Sequence, residues 1–457
     1  MKSDDLTLLD EAVRLAREFL STDTPVCRRL EPAALRDALQ LELPAQPQPT
    51  SAVIDAMARY LQHSVRTHSP LFINQLFGGS DPAGIAGEIL AAATNASMYT
   101  YEVAPAGTLI EQVLIERMLA SAGLTGGGGQ FVTGGSNANM LAMLCARQRV
   151  QPEVTVLGLS GAPPLRAFIS AEAHYSFAKA AAVLGLGTQN LIRVPTDADG
   201  RMSLCDLRKA VAVARADNAL PFFLAATAGT TVKGAIDPLP ELAEFATQNN
   251  LWFHVDAAFG GSLLLSPTQH PLLQGIEHAD SVTWDPHKLL SMPLVSATIL
   301  TRQPTVLRDV CDVGRADYLF HEETASGACD LGHASLQCGR RVDALKLWLA
   351  WQHHGDQGFA DRIDRFFALA AYAEARVADS AHLELACPRQ TLMVCFRLRG
   401  DTDGSRTVAV RNRLQREGSC MINHADVNGS PAARLVTVNA ALAEHTIDTV
   451  LEMFRET

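Results

Sequence analysis

A carboxylate inside an apolar run, Trp252-Phe253-His254-Val255-Asp256-Ala257-Ala258, is followed further along by Thr283-Trp284-Asp285-Pro286-His287-Lys288. An acid and an amine of these kinds suit one chemistry well. A lysine can hold an aldehyde as a Schiff base, and a carboxylate can keep a pyridine nitrogen protonated so that the ring withdraws electrons, which together describe a pyridoxal phosphate site. Lys288 is the candidate for the first task and Asp256 for the second. The plain alternative makes Asp256 a helix cap and Lys288 a solvated charge. Against it, Asp256 lies among Trp, Phe, Val and Ala, where an unpaired carboxylate is costly, and a pyridinium is a suitable partner.

Other residues extend this candidate site. Thr133-Gly134-Gly135-Ser136-Asn137-Ala138-Asn139 precedes a helical pattern. Its glycines let the backbone approach a phosphate, and Ser136 can cap the helix while offering a hydroxyl to the anion at the helix N-terminus. Taken alone, such a segment is more often an ordinary turn and cap. His174, before Tyr175 and Ser176, can lie flat on a pyridine ring and move protons, or be a satisfied core histidine. Thr231 offers either a hydroxyl to the cofactor's ring oxygen or a plain threonine at a strand edge.

These residues need rigid elements to hold them. Between about 130 and 300 the chain alternates short apolar runs with helical patterns: 167–171, 191–195, 221–227, 251–259, 281–285 and 296–301 read as strands. The intervening segments carry helical spacing, so the pattern predicts an α/β fold with a largely parallel sheet covered by helices. Ligands of such sheets bind beyond the carboxyl ends of the strands, where Asp256 and His287-Lys288 fall. An amphipathic helix opens the chain from Leu8 to Leu20, and Pro/Gln-rich punctuation ends near Thr50. Residues 1–55 are read as a helical arm, 56–345 as a large cofactor-binding domain and 346–457 as a small α/β C-terminal domain. The tract Gly126-Gly127-Gly128-Gly129 reads as a flexible turn.

The composition narrows the partners. With 47% apolar and 19% charged residues the chain is globular rather than disordered. A net charge of -11 without a basic run argues against nucleic acid or an anionic membrane as partner. Nine scattered cysteines, without zinc or redox spacing, predict no metal site and reduced thiols in a cytoplasm. No export signal or membrane span is expected.

Read together, the motifs resemble the group II pyridoxal phosphate decarboxylases, which act on glutamate, cysteine sulfinate, aspartate and aromatic amino acids. Those carrying the resemblance are Phe72 to Leu76, Thr100 to Pro105, His174-Tyr175-Ser176, Ala226 to Thr231, His254 to Ala258, Pro286-His287-Lys288 and Gln337 to Asp343. The resemblance implies a fold type I homodimer with its site at the subunit interface. By the same resemblance, Lys288 carries the cofactor, Asp256 meets the ring nitrogen, His174 stacks on one ring face and Ala258 packs the other. Thr231 stands by the ring oxygen, with Gly135, Ser136 and His287 around the phosphate.

For the substrate, a small amino acid, the resemblance points to Asn74, Phe77 and Arg434. Arg434 matches an arginine that binds a substrate carboxylate, a task suited to its guanidinium fork, although a structural ion pair is the competing role. Phe77 is similar to the phenylalanine of cysteine sulfinate and aspartate decarboxylases, so a short acidic substrate is expected. Two positions depart from the family. Asp285 stands where Asn is usual, and a carboxylate there repels phosphate unless it turns away or finds a cation. The stretch 321–335, after Tyr318-Leu319-Phe320, contains no tyrosine, whereas the family uses a loop tyrosine to protonate the substrate carbon once CO2 has left. His321 and His333 are the nearest substitutes. Without one, reaction with oxygen would give an aldehyde instead of an amine, and an inactive binding subunit is the third reading.

Overall fold

The structure, a computed structural model, describes residues 3–312, 314, 319–320 and 329–455. Contacts group Ser80–Phe367 into one compact unit, and Met1–Gly79 with Ala368–Thr457 into another.

The Ser80–Phe367 unit is built on a seven-stranded sheet. Its strands lie in the order Gly128–Val132, Ala297–Thr301, Ser281–Trp284, Trp252–Ala257, Leu220–Thr227, Leu165–Ser170 and Leu191–Val194. Ala297–Thr301 pairs antiparallel with both its neighbours and every other pairing is parallel, so six strands share one direction. Phe222, Phe223, Leu224, Ala225 and Ala226 are all fully buried, as expected of a strand covered on both faces. Among the covering helices, Leu204–Ala216 is capped by Ser203, whose hydroxyl accepts from the Asp206 N–H. That cap satisfies a donor the helix itself cannot.

The tetraglycine tract is corrected by this sheet. Gly128 and Gly129 are strand residues, paired with Thr301 and Leu300. A Cβ at Gly127 would stand 2.2 Å from the Thr301 carbonyl oxygen, and one at Gly129 2.7 Å from that of Ile299. Glycine is required there by close backbone approach rather than by flexibility.

In the second unit the strand order is Phe72–Ile73, Met421–Val427, Ser430–Val436, Met393–Leu398 and Leu383–Leu385. Phe72–Ile73 pairs parallel with Met421–Val427, and the remaining pairs are antiparallel. Residues 56–79 therefore group with the C-terminal sheet rather than with 80–345, and the Asn439 amide reinforces this by donating to the Thr67, Ser69 and Phe72 carbonyls. The other limit read from the sequence, near 345, also differs from the unit boundary at 367/368. Residue 345 falls at the start of the Ala344–Ala378 helix, which is interrupted at Gly355 with φ +62°.

Candidate active site

Five segments follow the carboxyl ends of parallel strands in the large unit, and each carries predicted site residues. Gly135 and Ser136 follow Gly128–Val132, His174 follows Leu165–Ser170, and Thr231 follows Leu220–Thr227. Asp256 stands next to last in Trp252–Ala257, with Ala258 just beyond it, and His287 and Lys288 follow Ser281–Trp284. Parallel topology thus gathers chain-distant residues along one edge of the sheet.

Asp256 is only 5% exposed. One carboxylate oxygen accepts from Asn139 Nδ2 at 2.8 Å and the other from the Ala258 N–H at 3.2 Å. No ion pair to Asp256 forms among the described residues. A buried carboxylate held by neutral donors alone is suited to a cationic ligand, and a protonated pyridine nitrogen has the required charge. In this respect the residues present fit pyridoxal phosphate.

Asn139 is the positioning residue that sequence reasoning passed over. Its Nδ2 also donates to Ser176 Oγ at 3.0 Å, while its Oδ1 accepts from Thr283 Oγ1 at 2.8 Å and lies 3.0 Å from His254 Nε2. His254 Nδ1 in turn lies 2.8 Å from Ser281 Oγ, which accepts from Trp252 Nε1. Burial lowers the His254 pKa to about 4, so the ring is neutral and bridges two polar groups. A signal was available: His254 and Asp256, two apart on a strand, share a face. Asn139 stands one helical turn beyond Gly135, facing the same site.

His174 is half-buried, with its Nδ1 accepting from the Ser176 N–H at 3.3 Å. Burial lowers its pKa, opposed by the nearby charges of Asp256 and Asp285. Thr231 is half-buried in a turn braced by Thr230 Oγ1, which accepts from the Ala235 N–H. Ser136 does not cap its helix. Gly134, at φ 124°, occupies the cap position, because the chain enters the helix in a conformation open to glycine. Ser136 is an exposed residue of the first turn.

Asp285, only 2% exposed, turns toward the Lys288 cation rather than away from the site. Its Oδ2 is 3.5 Å from Lys288 Nζ and 3.7 Å from His287 Nε2, whereas its Oδ1 is buried without a partner. Desolvation pushes the carboxyl up to about 6, with Lys288 pulling the other way. A Cβ at Gly135 would stand 2.6 Å from Asp285 Oδ2, so glycine there admits the carboxylate to the helix N-terminus. His287 Nδ1 is 2.6 Å from the Ser296 carbonyl oxygen, and burial lowers its pKa to about 4. The neutral ring donates from Nδ1 and presents the Nε2 lone pair to Asp285.

The three predicted substrate residues belong to the other unit. Arg434, buried on Ser430–Val436, donates from Nη2 to the Asn74 carbonyl at 3.1 Å, and burial lowers its pKa. Asn74 Oδ1 is buried without a partner. Phe77 packs against Phe72, with ring centroids 6.0 Å apart. Of the two proton-donor candidates, His321 lies outside the described residues. His333 is held by Asp312, with Nδ1 3.1 Å from Oδ2, and stacks on Phe320 with centroids 3.6 Å apart.

Comparison with known proteins accords with this geometry. Residues 32–399 match the family described as the pyridoxal-dependent decarboxylase conserved domain. The chain is 40% identical to a cysteine sulfinic acid decarboxylase of Mus musculus, over 97% of this chain and 92% of that protein. It is 37% identical to the acidic amino acid decarboxylase GADL1 of the same species, over 97% and 84%. A crystal structure of mouse CSAD superimposes with a TM-score of 0.94 at 37% identity, covering 98% of this chain and 97% of that one. The expected fold type I architecture is the one found, and the chain belongs to the pyridoxal-dependent decarboxylase family.

Proposed function

We propose that this enzyme removes the α-carboxylate of a short acidic L-amino acid, of the aspartate or cysteine sulfinate type, as CO2 and releases the amine. The observation that carries the reading is Asp256, buried and held by neutral donors, with no cation of its own among the described residues. Similarity to decarboxylases of cysteine sulfinic acid and of acidic amino acids supports the substrate class.

When bound, pyridoxal phosphate supplies a sink for the electrons of the broken carbon–carbon bond. Lys288 would hold the cofactor through its amine. Asp256, fixed by Asn139, would hold the proton on the pyridine nitrogen. His174 and Ala258 would bind its ring, Thr231 its ring oxygen, and Gly135, Ser136 and His287 its phosphate. Arg434, with Asn74 and Phe77, selects a substrate bearing a second acidic group.

A homodimer with its site at the interface is part of this proposal. Exposed apolar residues on two successive helices, Ile89 and Leu90 on Pro82–Thr94 and Leu109 and Val113 on Pro105–Ser121, support it as surface for a second copy. A cytoplasmic location is proposed from the free cysteines. No helix among the described residues is long and apolar enough to cross a membrane.

The test is turnover of aspartate, cysteine sulfinate, glutamate and aromatic amino acids, with CO2 and the organic product both identified. Faster turnover of glutamate or an aromatic amino acid would sink the acidic-substrate reading. The absence of tyrosine from 321–335 favours one alternative, oxidative formation of an aldehyde. Oxygen consumption with aldehyde and ammonia as products would establish it, and stoichiometric amine in air would exclude it.

A further inference from the structure

Asp285 is a buried acid at the place where the proposed cofactor's phosphate is received. Its neighbours are the groups an incoming cofactor would use, Lys288 for its aldehyde and His287 and Gly135 for its phosphate. Lys288 Nζ and His287 Nε2 face its Oδ2 at 3.5 and 3.7 Å, and Gly135, at the start of the Gly135–Val150 helix, lies so near that a Cβ there would stand 2.6 Å from the same oxygen. The charge of Asp256, from the adjacent strand, opposes its ionisation. His174, beyond Leu165–Ser170, also lies within range of its charge. The buried Oδ1 has no hydrogen-bond partner among the described residues. Without the cofactor, then, a carboxylate occupies the anion-favouring end of a helix and neutralises the lysine.

A phosphate arriving there brings a second anion into a buried space. Two anions sharing one set of donors cannot both remain fully charged at low cost, and the weaker acid takes a proton. We infer that Asp285 is a proton-coupled gate for cofactor entry: its carboxylate pairs with Lys288 beside the helix start at Gly135 in the cofactor-free enzyme, and takes up one solvent proton as the phosphate displaces it. Protonation also resolves the contact with His287. The neutral ring presents a lone pair at Nε2, and an ionised Asp285 opposes it with another, whereas Asp285–OH becomes a donor. Desolvation already moves its pKa up to about 6, and the charge of the phosphate moves it further the same way, past the working pH. This inference rests on the pyridoxal phosphate reading of the site.

The experiment uses full-length, cofactor-stripped wild type and Asp285→Asn, with pyridoxamine 5′-phosphate as the probe. Lacking an aldehyde, this probe leaves the Lys288 amine unconsumed. Calorimetry at pH 7.5 in two buffers of different ionisation heat should find wild type taking up about one proton more than the variant. The variant should bind roughly a hundredfold tighter at pH 8, with the ratio approaching one near pH 5. The probe's own titration cancels between the two proteins. Equal proton uptake, or an affinity ratio constant with pH, overturns the inference. So does the same ratio with unphosphorylated pyridoxamine, which would mark a general change of the pocket. Circular dichroism checks that the variant folds. Added pyridoxal phosphate separates the two proposals: a missing Lys288-dependent visible band overturns both, whereas a normal band with equal proton uptake overturns only the gate.

Discussion

Asp256 and Asp285 are both nearly closed to water, yet their surroundings treat them differently. Asp256 has each oxygen held by a neutral donor and has no cation among the described residues. Asp285 has a lysine, a histidine and a helix N-terminus on one side and an unpartnered oxygen on the other. A fixed charge that must meet a ligand cation is best held by dipoles, which leave the charge available. A charge paired with a lysine is partly neutralised and is free to be displaced. The comparison assigns Asp256 a permanent role and Asp285 an exchangeable one.

The severest way to probe the contrast is Lys288→Ala. It removes the cation nearest Asp285 while leaving every hydrogen bond of Asp256 in place. Absorbance should show no Schiff-base band, and CO2 release should fall at least about a thousandfold, because no other amine replaces the attachment point. Retention of the Schiff-base band would remove Lys288 from its proposed role.

Changing each acid to its amide compares them directly. Asp256→Asn should keep the cofactor band yet lower kcat by roughly a hundredfold or more, since the ring proton loses its counter-charge. Asp285→Asn should change kcat only a few-fold once cofactor is saturating. Equal losses in the two variants would break the distinction between them.

Asn139→Ala acts on one side only. It leaves Asp256, Ser176, Thr283 and His254 each short of a partner in a buried site, and unmet buried groups cost about 1–3 kcal/mol. Denaturant unfolding should report a loss of about 2 kcal/mol, with a kcat smaller than that of wild type but larger than that of Asp256→Asn. Unchanged stability would mean that water replaces the amide.

How much of this was legible beforehand depends on what each residue's role requires. The strand Trp252–Ala257 and the helix Leu204–Ala216 were readable because burial and amphipathic spacing are local properties. Lys288 and Asp256 stood out because an amine and an acid in apolar settings are chemically expensive. Asn139 did not, because its importance lies in joining residues far apart in the sequence, such as Ser176, His254 and Thr283. Gly128 and Gly129 were misread for a related reason. Composition suggests freedom, while the constraint comes from Pro304 and Ile299 carbonyls brought close by a distant strand. The grouping of Phe72–Ile73 with Met421–Val427 likewise follows from a pairing that no window along the chain contains.

The smallest effect, and the sharpest in sign, is the pH dependence of stability in the cofactor-free protein. Burial raises Asp285 from 3.8 to about 6, so its contribution is intact below pH 3.8 and is lost as pH rises through 6. His254 and His287 are lowered from 6.5 to about 4, so theirs is intact above pH 6.5 and lost as pH falls through 4. Unfolding free energy should therefore fall on acidification between pH 6.5 and 4, by about 3 kcal/mol per histidine at most. Asp285→Asn should be more stable than wild type at pH 8 by up to about 2 kcal/mol, part of the desolvation cost being offset in wild type by Lys288. Near pH 4 the advantage should shrink, because Asp285 is then largely neutral in the folded state and only partly ionised in the unfolded one. An advantage that persisted unchanged at pH 4 would trace the effect to packing and would remove the electrostatic difference between the two acids.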